Sequence, residues 1–259
     1  MQSECPEISA QERGRVLEIT INRPERKNAL TQAMYAAMAK LINEAREHSH
    51  IRVVLLTGSE GNFTSGNDVA DFLSLPSDFE NSAVGQFLGA LYHCDKPVVA
   101  AVNGPAVGIG TTLLLHSDLV YCGDDAVFQM PFVNLGLCPE FASSYFVPRL
   151  VGHVKAAELL LLCKRFDGAE AEAMGLVNAC VPAAEALERA RTAAEQLAAQ
   201  PPAAVRLTKK LLRHATFDVG ERMISEEVSH FTPLLQSGEF REAATAFMEK
   251  RKPDFSSFD

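Results

Sequence analysis

The sequence predicts an α/β fold, and two features of its hydrophobic pattern indicate this class. Between Val16 and Val181, short apolar runs typical of strands alternate with segments that have helical spacing. From Ala183 onward, Ala- and Leu-rich helical patterns follow one another. Alternating strands and helices are typical of crossover units that build a parallel sheet. We therefore expect an α/β core over residues 1–199 and a helical region over residues 200–259.

The predicted strands are short. Val16–Ile21 alternates apolar and polar side chains, which is typical of a half-buried strand. Residues 53–57 form a run of β-branched residues and Leu that ends at Gly58, which favours a fully buried strand. Similar patterns predict strands at residues 97–102, 119–121, 126–128 and 176–181.

The first predicted helix begins after Thr31, a residue type that is favoured at the N-cap. Apolar side chains then share one helix face, which predicts a core contact: Met34, Met38, Leu41, Ile42 and Ala45. Further helical patterns lie at residues 84–92, 108–116, 156–162, 169–174 and 183–199. Pro201 and Pro202 begin another helix, since proline is favoured in a first helical turn, and this places a break near Gln200.

The composition excludes several classes of protein. Of the 259 residues, 33 are acidic and 24 are basic, and the net charge of −9 argues against a nucleic-acid-binding surface. The six cysteines include no CxxC spacing and the seven histidines include no close ligand pair, so we predict no metal site. Reduced, mostly buried thiols are expected, as is typical of an intracellular protein.

The sequence shows no targeting or membrane pattern. Residues 1–15 are polar and lack the pattern of a signal peptide. Residues 97–115 carry no charge, but Asn103, Gly104 and Pro105 interrupt them, which favours a strand, a turn and a buried helix. We therefore expect a cytoplasmic protein without membrane insertion.

Two glycine-rich loops follow predicted strands. Residues 61–68 read GNFTSGND, and residues 103–110 read NGPAVGIG. Backbone N–H groups at such turns point outward, and a helix that begins there adds positive potential, so two such loops together could bind a developing oxyanion. Alternatively, glycine only permits tight turns and close packing. Neither loop has the spacing of a P-loop or of a dinucleotide-binding motif.

Together with their flanking residues, these loops resemble the enoyl-CoA hydratase/isomerase (crotonase) superfamily. The resemblance runs from about residue 13 to about residue 215. Its motifs are NRP at 22–24, NAL at 28–30, FTSGND at 63–68, PVVAAVNG at 97–104, HSD at 116–118 and GLV at 175–177. It implies a spiral of ββα units, a helical C-terminal trimerisation region and a homotrimer or dimer of trimers. It also implies acyl-CoA thioester substrates, with coenzyme A as part of the substrate and no separate cofactor.

By position, the resemblance assigns a pair of oxyanion-binding amides and a set of substrate contacts. The two amides are those of Asn67 and Ile109, where many relatives have glycine at the second position. The residues that it places against the substrate or its CoA moiety are Lys27, Ala29, Thr64, Ser65, Gly66, Asp68 and Gly110.

Several of these residues have simpler explanations. Asp68 is explained equally well as a helix N-cap. The basic cluster at residues 23–27 is explained equally well as a solvated loop. A second basic group at residues 250–252 could reach a CoA phosphate, although its match to the superfamily is poor. Residues 72–89 also match poorly, and we expect them to line the acyl pocket.

Glu140 is the candidate catalytic base. Hydratases of this superfamily use two glutamates, and the corresponding residues are Thr112 and Phe132, which cannot transfer a proton at neutral pH. Taken alone, Glu140 after Pro139 could be a first-turn glutamate favoured by the helix dipole. The Pro-Glu pair followed by Ser-Ser at 143–144 instead resembles the Δ3,Δ2-enoyl-CoA isomerases of peroxisomal type, which carry their catalytic glutamate here.

A single base suits the reaction that this resemblance implies. Moving a 3-enoyl double bond to the trans-2 position removes a proton from C2 and returns one at C4. Two N–H donors would stabilise the charge on the thioester oxygen of the dienolate, and apolar neighbours such as Phe132 and Phe141 would raise the pKa of Glu140. We therefore expect a Δ3,Δ2-enoyl-CoA isomerase of fatty-acid β-oxidation. Hydration or another crotonase-type reaction, and acyl-CoA binding without catalysis, are the alternatives.

Overall fold

The computed structural model describes residues 1–68, 71 and 81–258. The strands in this part of the chain are β1 (Ile8–Arg13), β2 (Val16–Ile21), β3 (Val53–Gly58), β4 (Val98–Val102), β5 (Pro105–Val107), β6 (Leu119–Gly123), β7 (Val127–Gln129), β8 (Phe166–Asp167) and β9 (Ala179–Val181). The α-helices are α1 (Gln32–Glu47), α2 (Ala83–Tyr92), α3 (Ile109–Thr112), α4 (Ser143–Val151), α5 (His153–Leu161), α6 (Gly168–Ala173), α7 (Ala183–Ala199), α8 (Pro202–Arg213), α9 (Phe217–Leu234) and α10 (Gly238–Met248). Short 3-10 turns lie at Pro24–Arg26, Leu113–His116 and Val133–Leu135.

The described strands form two sheets. The larger sheet has the order β1-β2-β3-β4-β6-β9, and β1 pairs antiparallel with β2 while the other neighbours are parallel. The smaller sheet has the order β5-β7-β8. The chain passes repeatedly from the larger sheet to the smaller one. Strand β4 of the larger sheet is followed by β5 of the smaller sheet and then by α3, and β6 of the larger sheet is followed by β7 of the smaller sheet. This repeated passage confirms the predicted ββα organisation.

Both faces of the larger sheet are covered, which explains its continuous apolar strands. Along β3, Val54 and Leu56 belong to the core cluster that includes α1 and α2. Val53 and Leu55 pack instead against the alanine-rich face of α7. Parallel strands that are buried on both faces read as uninterrupted apolar runs. The same reason accounts for the fully buried β4.

The structure confirms the main helix boundaries. Helix α1 follows Thr31, whose hydroxyl accepts a hydrogen bond from the amide of Met34 at 3.4 Å. Helix α7 ends at Ala199 and α8 begins at Pro202, so the chain breaks at Gln200 as predicted.

Other elements differ from the prediction. β1 is an edge strand in which Ile8 is the one buried residue, so it lacks an apolar pattern. The strand predicted at 176–181 is wrong in length, because the chain turns at Gly175, which has a φ of 77°, and pairing begins at Ala179. Helix α4 escaped prediction because it contains Pro148, a residue that normally interrupts a helix.

The C-terminal helices pack against the core. Helix α9 contacts α4, and α10 contacts the turn at Val133–Leu135. The division of the chain between residues 199 and 200 into two domains stays a prediction. In the described part of the chain, no helix is long and apolar enough to span a bilayer. Within the same residues, no cluster of His, Cys, Asp or Glu side chains could bind a metal ion.

Candidate active site

The two glycine-rich loops lie side by side. The amide of Thr64 donates to the carbonyl of Pro105 at 2.9 Å, and the amide of Val107 donates to the carbonyl of Thr64 at 3.1 Å. Each loop then turns at a glycine with positive φ, 90° at Gly66 and 58° at Gly108. A Cβ atom on Gly66 would lie 2.9 Å from the carbonyl oxygen of Val107, so this close approach requires glycine.

The residues after these glycines present backbone amides. The amides of Asn67 and Ile109 donate to no acceptor within residues 1–68, 71 and 81–258. For Asn67 the reason is the strand-like pairing of its neighbours, because Leu30 bonds to the Gly66 carbonyl and the Asp68 amide. For Ile109 the reason is its place as the first residue of α3, where an amide has no partner in the helix. The structure thus places both predicted donors on adjacent loops.

The side chain of Asn67 is held by a residue that sequence reasoning assigned no role. The hydroxyl of Tyr35 on α1 donates to Oδ1 of Asn67. Tyr35 is fully buried, and its ring centroid lies 5.4 Å from that of Phe87 on α2. Its position on the buried face of α1 predicts only a core residue. The segment predicted to line an acyl pocket includes Phe87, whereas its residues 72–80 lie outside the described residues.

Glu140 is buried, with 7% of its surface exposed. The hydroxyl of Thr112, three residues after Ile109 along α3 and its turn, donates to Oε1 of Glu140. Burial raises the pKa of Glu140 to about 8, the Thr112 hydrogen bond opposes this rise, and the negative charge of Glu227 adds to it. The direction agrees with the expectation from apolar surroundings. The first-turn interpretation is wrong, because α4 begins at Ser143 and Glu140 precedes it.

Glu140 differs from the other buried carboxylates of the described residues. Glu18 and Asp68 each form an ion pair with arginine. Glu227 accepts hydrogen bonds from two backbone amides. The carboxylate of Glu140 accepts only one hydrogen bond within the described residues, from the hydroxyl of Thr112. A carboxylate with so little stabilisation of its charge is suited to take up a proton.

The predicted substrate-contact residues of the first basic loop lie against the first glycine-rich loop. Lys27 is exposed, and its carbonyl accepts a hydrogen bond from the amide of Ser65 at 3.0 Å. Arg23 forms an ion pair with Asp68 at 2.8 Å, and the same guanidinium donates to the carbonyl of Ala29. The loops are therefore fixed to each other. A ligand contact of these residues stays a prediction.

Thr64 and Gly110 have packing roles in the structure. The buried Thr64 hydroxyl donates to the carbonyl of Asn28 at 2.7 Å. A Cβ atom on Gly110 would lie 2.6 Å from Cγ2 of Thr64, so glycine lets α3 approach the loop. Their assignment as substrate contacts also stays a prediction. In the basic group at residues 250–252, Arg251 forms an ion pair with Glu242.

Besides Tyr35, two residues have contacts that the sequence analysis did not predict, because these contacts join distant segments. Thr112 occupies the position of a hydratase glutamate, so the sequence indicates only that a catalytic glutamate is absent there. In the structure its hydroxyl donates a hydrogen bond to Glu140. Glu227 on α9 binds the backbone just after Glu140. A glutamate within a helical pattern gives no signal of such a contact. Phe132, the other position of a hydratase glutamate, is buried.

Comparison with known proteins agrees with this architecture. The chain matches the family model described as enoyl-CoA hydratase/isomerase over residues 11–257. It is 35% identical over 246 residues to enoyl-CoA delta isomerase 2 of Rattus norvegicus, covering 93% of this chain and 62% of that protein. It is 34% identical over 241 residues to a Rhodobacter capsulatus protein named "Probable enoyl-CoA hydratase", covering 92% of this chain and 93% of that protein.

Among solved structures, that of Pseudomonas aeruginosa OdaA matches with a TM-score of 0.92 and 48% sequence identity, covering 94% of this chain and 99% of that one. The match therefore extends over nearly the whole chain. The chain belongs to the enoyl-CoA hydratase/isomerase family, whose members act on acyl-CoA thioesters.

Proposed function

We propose that the protein isomerises 3-enoyl-CoA thioesters to trans-2-enoyl-CoA thioesters, with Glu140 as the base that moves the proton. The observation that carries this proposal is the buried carboxylate of Glu140, which accepts a hydrogen bond from the hydroxyl of Thr112. Thr112 belongs to α3, the helix that begins at Ile109. This contact links the carboxylate to the loop amides. The relative named enoyl-CoA delta isomerase 2 adds support.

In the proposed mechanism the thioester oxygen accepts hydrogen bonds from the amides of Asn67 and Ile109. The ionised Glu140 removes a proton from C2, and the negative charge of the dienolate moves to that oxygen. Each donor of this kind lowers the barrier by about 3 kcal/mol. The protonated Glu140 then delivers its proton to C4, which completes the shift of the double bond. A carboxyl group with a raised pKa is a stronger base toward the weakly acidic C2 proton.

Hydration is the less favoured reaction because it needs a second acid–base group. The two positions of the hydratase glutamates hold Thr112 and Phe132. Within the described residues, Glu227 is the other buried carboxylate that influences Glu140, but its two oxygens already accept hydrogen bonds from residues 142 and 144. Its carboxylate is therefore occupied by these hydrogen bonds and is not free to activate water.

Parallel assays of a 3-enoyl-CoA and a 2-enoyl-CoA test the proposal. We expect turnover of the 3-enoyl substrate that falls by a factor of about 1,000 in Glu140→Gln, which keeps the size of the side chain and one oxygen that can accept the Thr112 hydrogen bond but cannot act as a base. Rapid hydration that survives this substitution would instead establish a hydratase. Tight CoA binding without turnover of either thioester would establish a binding protein.

The reaction as proposed requires no separate cofactor, because the thioester supplies the only electron sink. Turnover should therefore survive dialysis against a chelator. Loss of turnover that is restored by added metal would contradict this part of the proposal.

We further propose that the protein assembles as a homotrimer or a dimer of trimers. Large apolar side chains are exposed on α8 and around α5: Leu207, Leu211, Leu212, Val154, Leu161 and Leu162. Exposed apolar groups of this extent commonly pack against another subunit. Light scattering of the purified protein should give three or six times the 28.1 kDa chain mass, and a monomer would contradict the proposal.

A further inference from the structure

Helix α4 begins without an N-cap side chain. Its N-cap residue is Ala142, whose side chain has no oxygen that could accept a hydrogen bond from a helix amide. Phe141 and Ala142 both have positive φ, 57° and 55°. Non-glycine residues in this conformation cost about 1–2 kcal/mol each and persist only where other contacts fix them. The backbone that follows Glu140 therefore depends on groups from elsewhere in the fold.

The principal group is the carboxylate of Glu227 on α9. Its Oε2 accepts a hydrogen bond from the amide of Ala142 at 2.5 Å. Its Oε1 accepts hydrogen bonds from the amide of Ser144 at 2.9 Å and from the Ser144 hydroxyl. The carboxylate thus supplies the N-cap that the local sequence lacks, and its negative charge suits a helix N-terminus. Glu227 is buried and forms no ion pair within the described residues.

His116 holds the preceding residue. Its Nε2 donates to the carbonyl of Phe141 at 2.7 Å, and the two rings lie 3.8 Å apart. Burial lowers the pKa of His116 to about 3, so the imidazole is neutral. His116 therefore fixes Phe141 without charge, whereas Glu227 fixes residues 142–144 and brings a negative charge.

We propose that Glu227 is a positioning residue, whose carboxylate fixes residues 142–144 and so keeps Glu140 directed toward Thr112 and the loop amides. This inference rests on the proposed function of Glu140 as the base. Glu227 has a second effect, because its negative charge raises the pKa of Glu140. Burial raises the pKa of Glu227, and the negative charge of Glu226 adds to that rise. Tyr35 and Cys138 face the same pair, since burial and then the charge of Glu140 raise the pKa of Tyr35, while burial and then the charges of Glu227 and Glu140 raise the pKa of Cys138.

Glu227→Gln tests the inference, because glutamine places an NH₂ group against one of the backbone donors. We expect kcat for a 3-enoyl-CoA to fall by about 10- to 100-fold while KM changes little, since misplacement of a base affects the chemical step. The midpoint of the pH profile of kcat/KM should also move to lower pH, because a negative charge near Glu140 has been removed.

Glu18→Gln is the matched control. Glu18 is also buried and lies on β2, where it pairs with Arg191 of α7. Its substitution should lower thermal stability without changing kcat or the pH midpoint. If Glu227→Gln behaves like this control, the inference is overturned.

Two further measurements keep the inference testable. If Glu227→Gln does not fold, Ser144→Ala removes one of the three donors to Glu227, and an unchanged kcat would overturn the inference. If the wild-type protein does not turn over any 3-enoyl-CoA, the proposed function fails. Infrared titration of the Glu140 carboxyl band, identified by its loss in Glu140→Gln, then decides the inference separately. A midpoint that Glu227→Gln leaves unchanged contradicts it.

Discussion

The hydroxyl of Thr112 donates a hydrogen bond to Oε1 of Glu140, and this is the only polar contact of that carboxylate within the described residues. Thr112 stands where the superfamily resemblance places a hydratase glutamate. The threonine therefore supports the remaining carboxylate instead of adding a second one. This arrangement favours the proposed chemistry with one base, and the Thr112 hydrogen bond opposes the rise in the pKa of Glu140 that burial causes.

The pH dependence of the reaction should follow Glu140. Since the base must be ionised, kcat/KM should rise about tenfold per pH unit at pH 6–7 and level off above the pKa of about 8. Thr112→Val removes the hydrogen bond that stabilises the carboxylate, so the midpoint should move upward by about one pH unit. Rate measurements in buffers of constant ionic strength provide both values. A midpoint in Thr112→Val at or below that of the wild type would contradict the assignment.

Removal of the Ile109 amide should impair the chemical step. Proline is tolerated as the first residue of a helix, so Ile109→Pro deletes the N–H group with little disturbance of α3. We expect kcat to fall by about 100- to 1,000-fold. His153→Pro is the control, because His153 is also the first residue of a helix that follows a glycine with positive φ, and it is exposed. Equal kcat values in Ile109→Pro and His153→Pro would exclude a role for this amide.

The stability of the fold should decrease with rising pH because of Glu140. Its pKa is 4.5 as a free group and about 8 in the folded protein, so the folded state binds more protons between these values. The contribution of Glu140 to the free energy of unfolding is thus present in full below about pH 4.5 and is lost as the pH rises through 8. This contribution is at most about 5 kcal/mol. Urea unfolding at pH 5 and pH 8.5, at one protein concentration, should show a smaller decrease for Glu140→Gln than for the wild type. Equal decreases would show that Glu140 is not buried as described.

Lys27 should contribute to binding of the CoA moiety and not to the chemical step. It is exposed beside Ser65 and forms no ion pair within the described residues. Lys27→Ala should raise KM about three- to tenfold with little change in kcat, and added salt should reduce the difference. Arg15→Ala, which removes an exposed cation from the β1–β2 turn, is the control. A Lys27→Ala variant with the KM of this control would exclude the proposed contact.

The sequence by itself determined the class of fold and most of its elements. Residues 53–56 and the strand Val98–Val102 are uninterrupted apolar runs because both faces of the sheet are covered, so the sequence pattern alone predicts these strands. Thr31 and Pro202 mark helix starts through their own backbone chemistry. The glycine positions also indicated where the two loops turn.

Only the tertiary structure decided what surrounds Glu140. Its contact with Thr112 joins segments that are far apart in sequence, and so does the contact of Glu227 with the start of α4. Such pairs leave no periodic pattern, since Thr112 and Glu227 each lie in a helical segment, Glu140 lies in the chain before α4, and no local sequence feature marks their contacts. The raised pKa of Glu140 has the same origin, because burial is a property of the packed fold and not of the residue. Local sequence therefore fixed the strands, turns and helix ends, while the environment of the base arose only from packing.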